Sequence, residues 1–386
     1  MSTTQFCLRL AAIAFGCLHG VTSLAGALPE ERADLSWHMN DGGGIKEQGP
    51  LLFIRKNATD NLSINAGYQV DQISGIGAEL FAFAPPLQDE RKQKSLGVDY
   101  LYGKTSYSAN VHSSAKSDYD SRAVSFNISQ DMFGDLTTVN FGVGKGWDSV
   151  YRAIGPGVSR DPAFHERIDR RTWTLGVSQV LTRNLIARYV QDISTESGYL
   201  QNPYHAIRYL SGSAYGIAPE IAPGTRTSTA IALKLKYYLP WRGAVSAQYR
   251  YFYDTWKVSG STTELAYSQP LRHDAVVVDF TYRHYRQGHA SFYSDMFSAP
   301  NQQNYMARER MLAAQTNDAI GLAVSFDLYK SKHRFLHKLS GAVHYDYAMY
   351  KLKDFRDTSL QGFATGNEPL YDYNANVVQA TLTAWF

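Results

Sequence analysis

The stretch Val378-Gln379-Ala380-Thr381-Leu382-Thr383-Ala384-Trp385-Phe386 alternates apolar and polar side chains: Val378, Ala380, Leu382, Ala384 and Phe386 fall on one side, and Gln379, Thr381 and Thr383 on the other. Trp385 alone breaks the rule. Side chains of a strand point alternately to opposite faces, so this segment is a strand with one apolar face and one polar face. The same pattern recurs far upstream. Leu62, Ile64, Ala66, Tyr68 and Val70 alternate with Ser63, Asn65, Gly67 and Gln69. Ile231, Leu233, Leu235, Tyr237 and Leu239 alternate with Lys234, Lys236 and Tyr238, and Val245, Ala247, Tyr249, Tyr251 and Tyr253 with Ser246, Gln248, Arg250 and Asp254. Val276 to Tyr282, Ile320 to Leu328 and Leu339 to Met349 repeat it, and no helical period competes. Soluble sandwiches also alternate, but their strands run to about 5–6 residues and carry a more charged outer face.

Composition agrees with this reading. The chain has 386 residues, of which 44% are hydrophobic and 19% charged, below the roughly 25% of an average soluble chain. Tyr occurs 27 times. A mean hydropathy of −0.32, with no apolar run of about 18 residues beyond the N-terminus, excludes a helical membrane bundle. That hydrophobic content excludes a disordered chain, and a net charge of +3 is too small for a nucleic-acid binder. What remains is a membrane protein whose apolar residues alternate with polar ones. The segment 378–386, ending in Phe386, resembles the closing strand of a bacterial outer-membrane barrel, the signal read by the assembly machinery.

Residues 1–27 read as a secretory signal: Arg9, a largely apolar run from Leu10 to Leu24, and the small-residue site Ala25-Gly26-Ala27. A lipoprotein signal ending at Cys17 fits less well, because Phe15 precedes Gly16-Cys17. Both cysteines, Cys7 and Cys17, lie in this segment, so the chain from Leu28 has neither thiol nor disulfide.

Outer-membrane barrels have short periplasmic turns and longer outer loops. Counting back from Phe386, the connections near 352–371, 289–316, 197–225, 148–165 and 73–92 are long and all fall on the outer side. Those near 331–335, 270–273, 239–243, 181–184, 130–136, 103–105 and 57–61 are short. Three more outer connections, near 257–259, 116–121 and 41–44, must also be short. With strands at 32–39 and 260–269 the total is sixteen, and without them fourteen. Trp147, Trp241, Trp256 and Trp385 stand near strand ends, as an interfacial girdle requires, whereas Trp173 lies mid-strand.

Inward parity assigns the cations Arg188, Lys234, Lys236, Arg250, Arg283 and Lys338 and the anions Asp99, Asp254, Glu264, Asp279, Asp327 and Asp346 to the lumen. Six against six gives no strong mean field. Either the groups satisfy one another across strands, or they set a transverse field at a constriction. Segment 148–171 sets Arg152, Arg160, Arg167, Arg170 and Arg171 against Asp148, Asp161, Glu166 and Asp169, and reads as a solvated loop or as an inward constriction.

Catalytic motifs are weak. Gly103-Lys104-Thr105 lacks the glycine a phosphate loop needs at position 98, which is Val. His333 and His337 have zinc-helix spacing without the glutamate, within a basic turn. There is no Gly-x-Ser-x-Gly elbow, and nothing selects a nucleophile to partner His112, His284 or His344.

The pieces Tyr253-Asp254-Thr255-Trp256, Tyr282-Arg283-His284-Tyr285-Arg286-Gln287, Ala290-Ser291-Phe292-Tyr293-Ser294-Asp295 and Ala307-Arg308-Glu309-Arg310 resemble a Gram-negative outer-membrane β-barrel family of unknown function. The family often has Arg-Asp where Arg308-Glu309 stands, so the charge is kept. The resemblance implies a barrel and brings no substrate or catalytic residue.

The expectation is therefore an all-β transmembrane antiparallel barrel of about sixteen strands over 28–386, in a cell outer membrane. It would be a channel or transport protein for small polar solutes. The rival readings are a plugged barrel acting as a structural or docking platform and, less favoured, a barrel hydrolase. Asp295 and Arg308, opposite charges at the two ends of one long loop, are expected to pair and order it. Expected partners are outer-membrane lipid, lipopolysaccharide and the barrel-assembly machinery, with no nucleic acid. No catalytic residue, cofactor or metal is assigned.

Overall fold

A computed structural model of the chain describes residues 26–154, 159–331 and 335–386. The expected signal segment, apart from its last two residues, and His333 of the histidine pair lie outside the described residues. Sixteen strands close into one antiparallel barrel. In chain order they are β1 (Arg32–Gly42), β2 (Ile45–Thr59), β3 (Leu62–Gly75), β4 (Gln88–Tyr102), β5 (Thr105–Lys116), β6 (Tyr119–Met132), β7 (Thr137–Ile154), β8 (Ser159–Thr182), β9 (Leu185–Gly198), β12 (Thr225–Tyr238), β13 (Ala244–Asp254), β14 (Ser259–Leu271), β15 (Val276–Gln287), β16 (Gln315–Lys330), β17 (Lys338–Arg356) and β18 (Leu370–Trp385). A separate two-stranded hairpin, β10 (Ala206–Ser211) with β11 (Ala214–Pro219), is inserted between β9 and β12. Both strands that the sequence left in doubt are present.

Closure joins β1 to β18 from Arg32↔Trp385 to Gly42↔Ala375, so the segment that opened the reading completes the ladder. A closed barrel pairs every main-chain group along its strands and leaves no sheet edge. On the outward face, Leu35, Leu96, Leu233, Leu265, Phe280 and Ile320 are each more than half exposed. An apolar belt of that extent is untenable in water and is what lipid requires. Among the described residues no helix is long and apolar enough to cross a membrane; any crossing is made by strands.

One rim carries the short turns, such as 60–61, 103–104 and 183–184, and the other carries the long connections 76–87, 199–224, 288–314 and 357–369. We call the second rim outer. One expected long loop is largely strand among the described residues. Residues 148–154 and 159–165 are strand, with Tyr151↔His165 and Ala153↔Arg160 in register around a bulge. Some of its charges are paired with neighbouring strands. Arg152 bonds Asp161 (2.8 Å), Arg160 bonds Asp120 (2.8 Å), and the Arg160 guanidinium lies 3.7 Å from the Tyr151 ring. Alternating signs therefore mark a projecting hairpin rather than a loop, because opposite charges facing each other across strands stabilise the pairing. The described part of 148–171 is therefore strand rather than inward constriction, and Arg160, Glu166, Arg167, Asp169 and Arg171 on it remain solvent-exposed.

Two girdle expectations also fail. Trp256 is almost fully buried, and its ring meets Phe292 edge-on at 5.1 Å inside the outer mouth. Trp385 takes the lumen parity of β18, with Lys338 Nζ 4.7 Å from its ring. Proximity to a strand end gives depth in the membrane but not the face, and face decides whether an aromatic meets lipid.

Candidate functional site

Below the outer rim the inner wall is polar. Register places Arg188, Lys234, Gln248, Glu264 and Arg283 in one row across β9, β12, β13, β14 and β15. Lys234 lies 3.5 Å from Glu264. Toward the rim of short turns Lys338 pairs with Asp327 (3.0 Å), and farther along the strand His344 pairs with Asp346 (3.0 Å). On the far wall Asp99 takes Arg55 (3.1 Å) and the Ser108 hydroxyl (2.5 Å). Asp254 holds Arg226 near the outer mouth and accepts the Val258 main-chain N–H. Among the described residues no salt bridge reaches Arg188, Lys236, Arg250 or Arg283, nor the carboxylates Asp192 and Asp279 on the same face, so the β9–β15 wall keeps a small excess of positive charge. Asp279 stands on that wall opposite Ser268 and Ala323.

Over this wall sits a folded cap. Residues 288–314 enter the mouth, where Phe292, Tyr293 and Leu312 pack with Trp256 against the wall residues Tyr119, Val150, Ile168, Phe252 and Leu352. Main-chain bonds stitch the loops together. Ala82 donates to Tyr204 (2.8 Å), Ala206 to Leu80 (2.8 Å), Phe297 to Arg208 (2.9 Å), and Ile221 and Met306 exchange a pair of bonds. Two arginine knots hold the cap's edges. Arg208 and Arg308, both fully buried, converge on Asp295; Arg208 also holds Glu368 (2.7 Å), and Arg308 donates to the Arg356 carbonyl (2.6 Å). Arg310 bonds Glu79 (2.8 Å) and the Gly43 carbonyl (2.8 Å), and its guanidinium lies 5.3 Å from the Tyr373 ring.

The turn at Gly43-Gly44 shows why glycine is needed there. Both residues have positive φ, 61° and 81°, which suits a two-residue hairpin turn. A side chain at Gly43 would meet Arg310 Nη1 at 2.5 Å, and one at Gly44 would meet the Ile76 carbonyl at 2.3 Å. The turn is thus cut to admit the arginine.

Electrostatics in the cap follow from burial and pairing. Burial alone would raise the Glu79 carboxyl, but the Arg310 guanidinium holds it below the ordinary value. For Glu368, Arg208 likewise overcomes burial. Glu220 is different: burial, and then the neighbouring Glu309 charge, push its carboxyl up to about 8. Burial also lowers the His205 imidazole. A cavity of about 70 Å³, lined in part by Glu79, Phe81, Tyr204 and His205, lies beside this group.

The structure brings Asp295 and Arg308 together at 3.0 Å. It adds Arg208, Glu368, Glu79 and Arg310, which sequence reasoning did not assign. Of these, only Arg310 lies in the motifs that carried the family resemblance; Glu79, Arg208 and Glu368 lie in none of them. Trp256, Phe292, Tyr293, Asp295 and the Arg308–Arg310 run all belong to the cap. Of the histidines considered for nucleophilic chemistry, His284 bonds Asp318 (2.8 Å) and His344 bonds Asp346 rather than a serine.

A family model described as "Protein of unknown function (DUF3570)" matches residues 25–345. No curated protein matches the chain. Among solved structures, the chain resembles a "Bacterial polysaccharide outer membrane secretin" at 8% identity and a TM-score of 0.52, covering 92% of this chain and 98% of that one. Two others are the siderophore receptor PirA from Pseudomonas aeruginosa (12% identity, 92% and 63% covered, TM-score 0.43) and a loop L8 deletion mutant of OmpT, an outer membrane protein of Vibrio cholerae (10%, 92% and 98%, TM-score 0.41). At such identities the likeness bears on fold alone.

Proposed function

The chain belongs to the DUF3570 family, and since that membership fixes no activity, we propose from the barrel itself that it is an outer-membrane transport protein for small polar solutes, closed at its outer mouth by a folded cap. One observation carries this reading: an inward-facing charged row on β9–β15 lies beneath a cap with its own apolar core. Sixteen strands are enough to enclose an aqueous lumen. Solute would pass only when the cap loosens, and the positive excess of that wall favours solutes carrying negative charge.

The cap also supports a second reading, a docking platform. The β10–β11 hairpin presents Leu210 and Ile217, both about half exposed, on the cap.

Conductance in planar bilayers separates the two. The purified protein should show rare, brief openings. A variant with residues 291–311 replaced by a short Gly-Ser linker should show stable open steps. Silence from that variant, with its barrel intact by heat-modifiable gel migration, would reject transport and leave the platform.

A further inference from the structure

We propose that His205, Glu220 and Glu309 form a binding site for a divalent transition cation of the Zn²⁺ class, which pins the hairpin connection 199–224 to the loop 288–314. Each residue offers one ligand atom, and the three atoms lie within 4.8 Å of one another. All three side chains are buried, at 3%, 3% and 1% exposure. His205 adds a separate observation: among the described residues its buried Nδ1 has no hydrogen-bond partner. A buried ring nitrogen left without a partner costs about 1–3 kcal/mol, which a metal bond would remove.

Arg310 is turned to Glu79 and the Gly43 carbonyl, and Arg308 to Asp295 and the Arg356 carbonyl. Glu220 accepts the main-chain N–H of Arg308 at 2.8 Å, which orients one carboxylate oxygen. Such an outer partner is what a metal-binding carboxylate usually has.

One imidazole and two carboxylates suit Zn²⁺ and its neighbours better than Ca²⁺ or Mg²⁺, which take oxygen ligands in larger number. Ligands about 2 Å from a common tetrahedral ion stand roughly 3.5 Å apart, so the three side chains need close by only about 1 Å. The adjoining cavity of about 70 Å³, which His205 lines, has room for the water that completes four-coordination. Among the described residues a second comparable group, His38, Glu47 and Asp71, has its charge met by Arg91, which bonds both carboxylates, and is the weaker candidate.

The site is independent of whether the barrel conducts. Chelator-stripped full-length protein would be equilibrated with Zn²⁺, desalted and assayed for bound metal, and protease cleavage of 288–314 would be timed in parallel. One Zn²⁺ per chain and at least tenfold slower cleavage are expected. Co²⁺ substitution should give the intense visible bands of a tetrahedral site. His205→Gln and Glu309→Gln should each weaken binding at least tenfold and abolish the bands, while His38→Gln keeps both. Gel migration of the barrel checks folding. Absence of bound Zn²⁺ in the wild type, or Zn²⁺ held equally by the His205 and Glu309 variants, would overturn the assignment. Loss of Zn²⁺ in His38→Gln alone would overturn it too.

Discussion

Asp295→Asn removes one charge and almost no volume, and the structure sets the size of the effect. Asp295 is the meeting point of Arg208 and Arg308, both with 0% side-chain exposure, and its Oδ1 also accepts the Arg356 main-chain N–H at 3.1 Å. Breaking a buried pair from one side costs about 3–5 kcal/mol, because the surviving charge stays buried. Here both arginines keep other acceptors: Glu368 for Arg208, and two carbonyl oxygens for Arg308. The lower end, about 3 kcal/mol, is therefore expected, which is about a hundredfold in the equilibrium for opening the cap. Hydrogen exchange reads this directly. The amides of Leu210 and Phe297, which bond across the hairpin and the 288–314 loop at 2.9 Å, should exchange about a hundredfold faster. Ladder amides such as Leu322 should not change. Unaltered exchange at Leu210 and Phe297 would refute the arginine knot as the cap's fastening. Simultaneous loss of protection in the barrel strands would refute the cap as a separate unit.

Other predictions test the remaining parts. Trp256→Ala should cost the cap roughly 3–5 kcal/mol, since the ring packs on Phe292 and lies under the Arg226 guanidinium at 4.5 Å; protease cleavage within 288–314 should accelerate while barrel migration on gels stays normal. Leu233→Lys, on the outward face, should destabilise the barrel by about 2–4 kcal/mol in urea titrations, whereas Ala232→Glu, facing inward on the same strand opposite Arg250, should be close to neutral. In the cap-loosened barrel, Arg250→Ser with Arg283→Ser should move the reversal potential under a salt gradient toward cation preference. An unchanged potential would show that the β9–β15 wall does not face the path of the ions.

Much of the barrel was legible because strand alternation is a local rule. Lys234 and Glu264 could be placed on one face from parity alone, and the structure puts them 3.5 Å apart. Parity failed where charge density imitated a loop, as at Arg152 to Asp161, which are cross-strand partners. It failed again where a strand-end tryptophan turned inward, as Trp256 does. The pairing of Asp295 with Arg308 was foreseen within one loop. Its extension to Arg208 and Glu368 was not, because those residues stand 87 and 160 positions apart in the bonds they make. No pattern of fixed period encodes such a contact.

The sequence by itself determined the class of molecule: a closed sheet of about sixteen two-faced strands, with its long connections on one rim. That follows because side-chain direction in a strand depends only on position along the chain, and lipid on one face with solvent on the other constrains every second residue. The tertiary structure alone decided what the outer loops do. They fold inward around Trp256 and Phe292 and are fastened by Arg208, Arg308 and Arg310, and they gather His205, Glu220 and Glu309 within reach of one ion. Those contacts join loops that only barrel closure brings face to face.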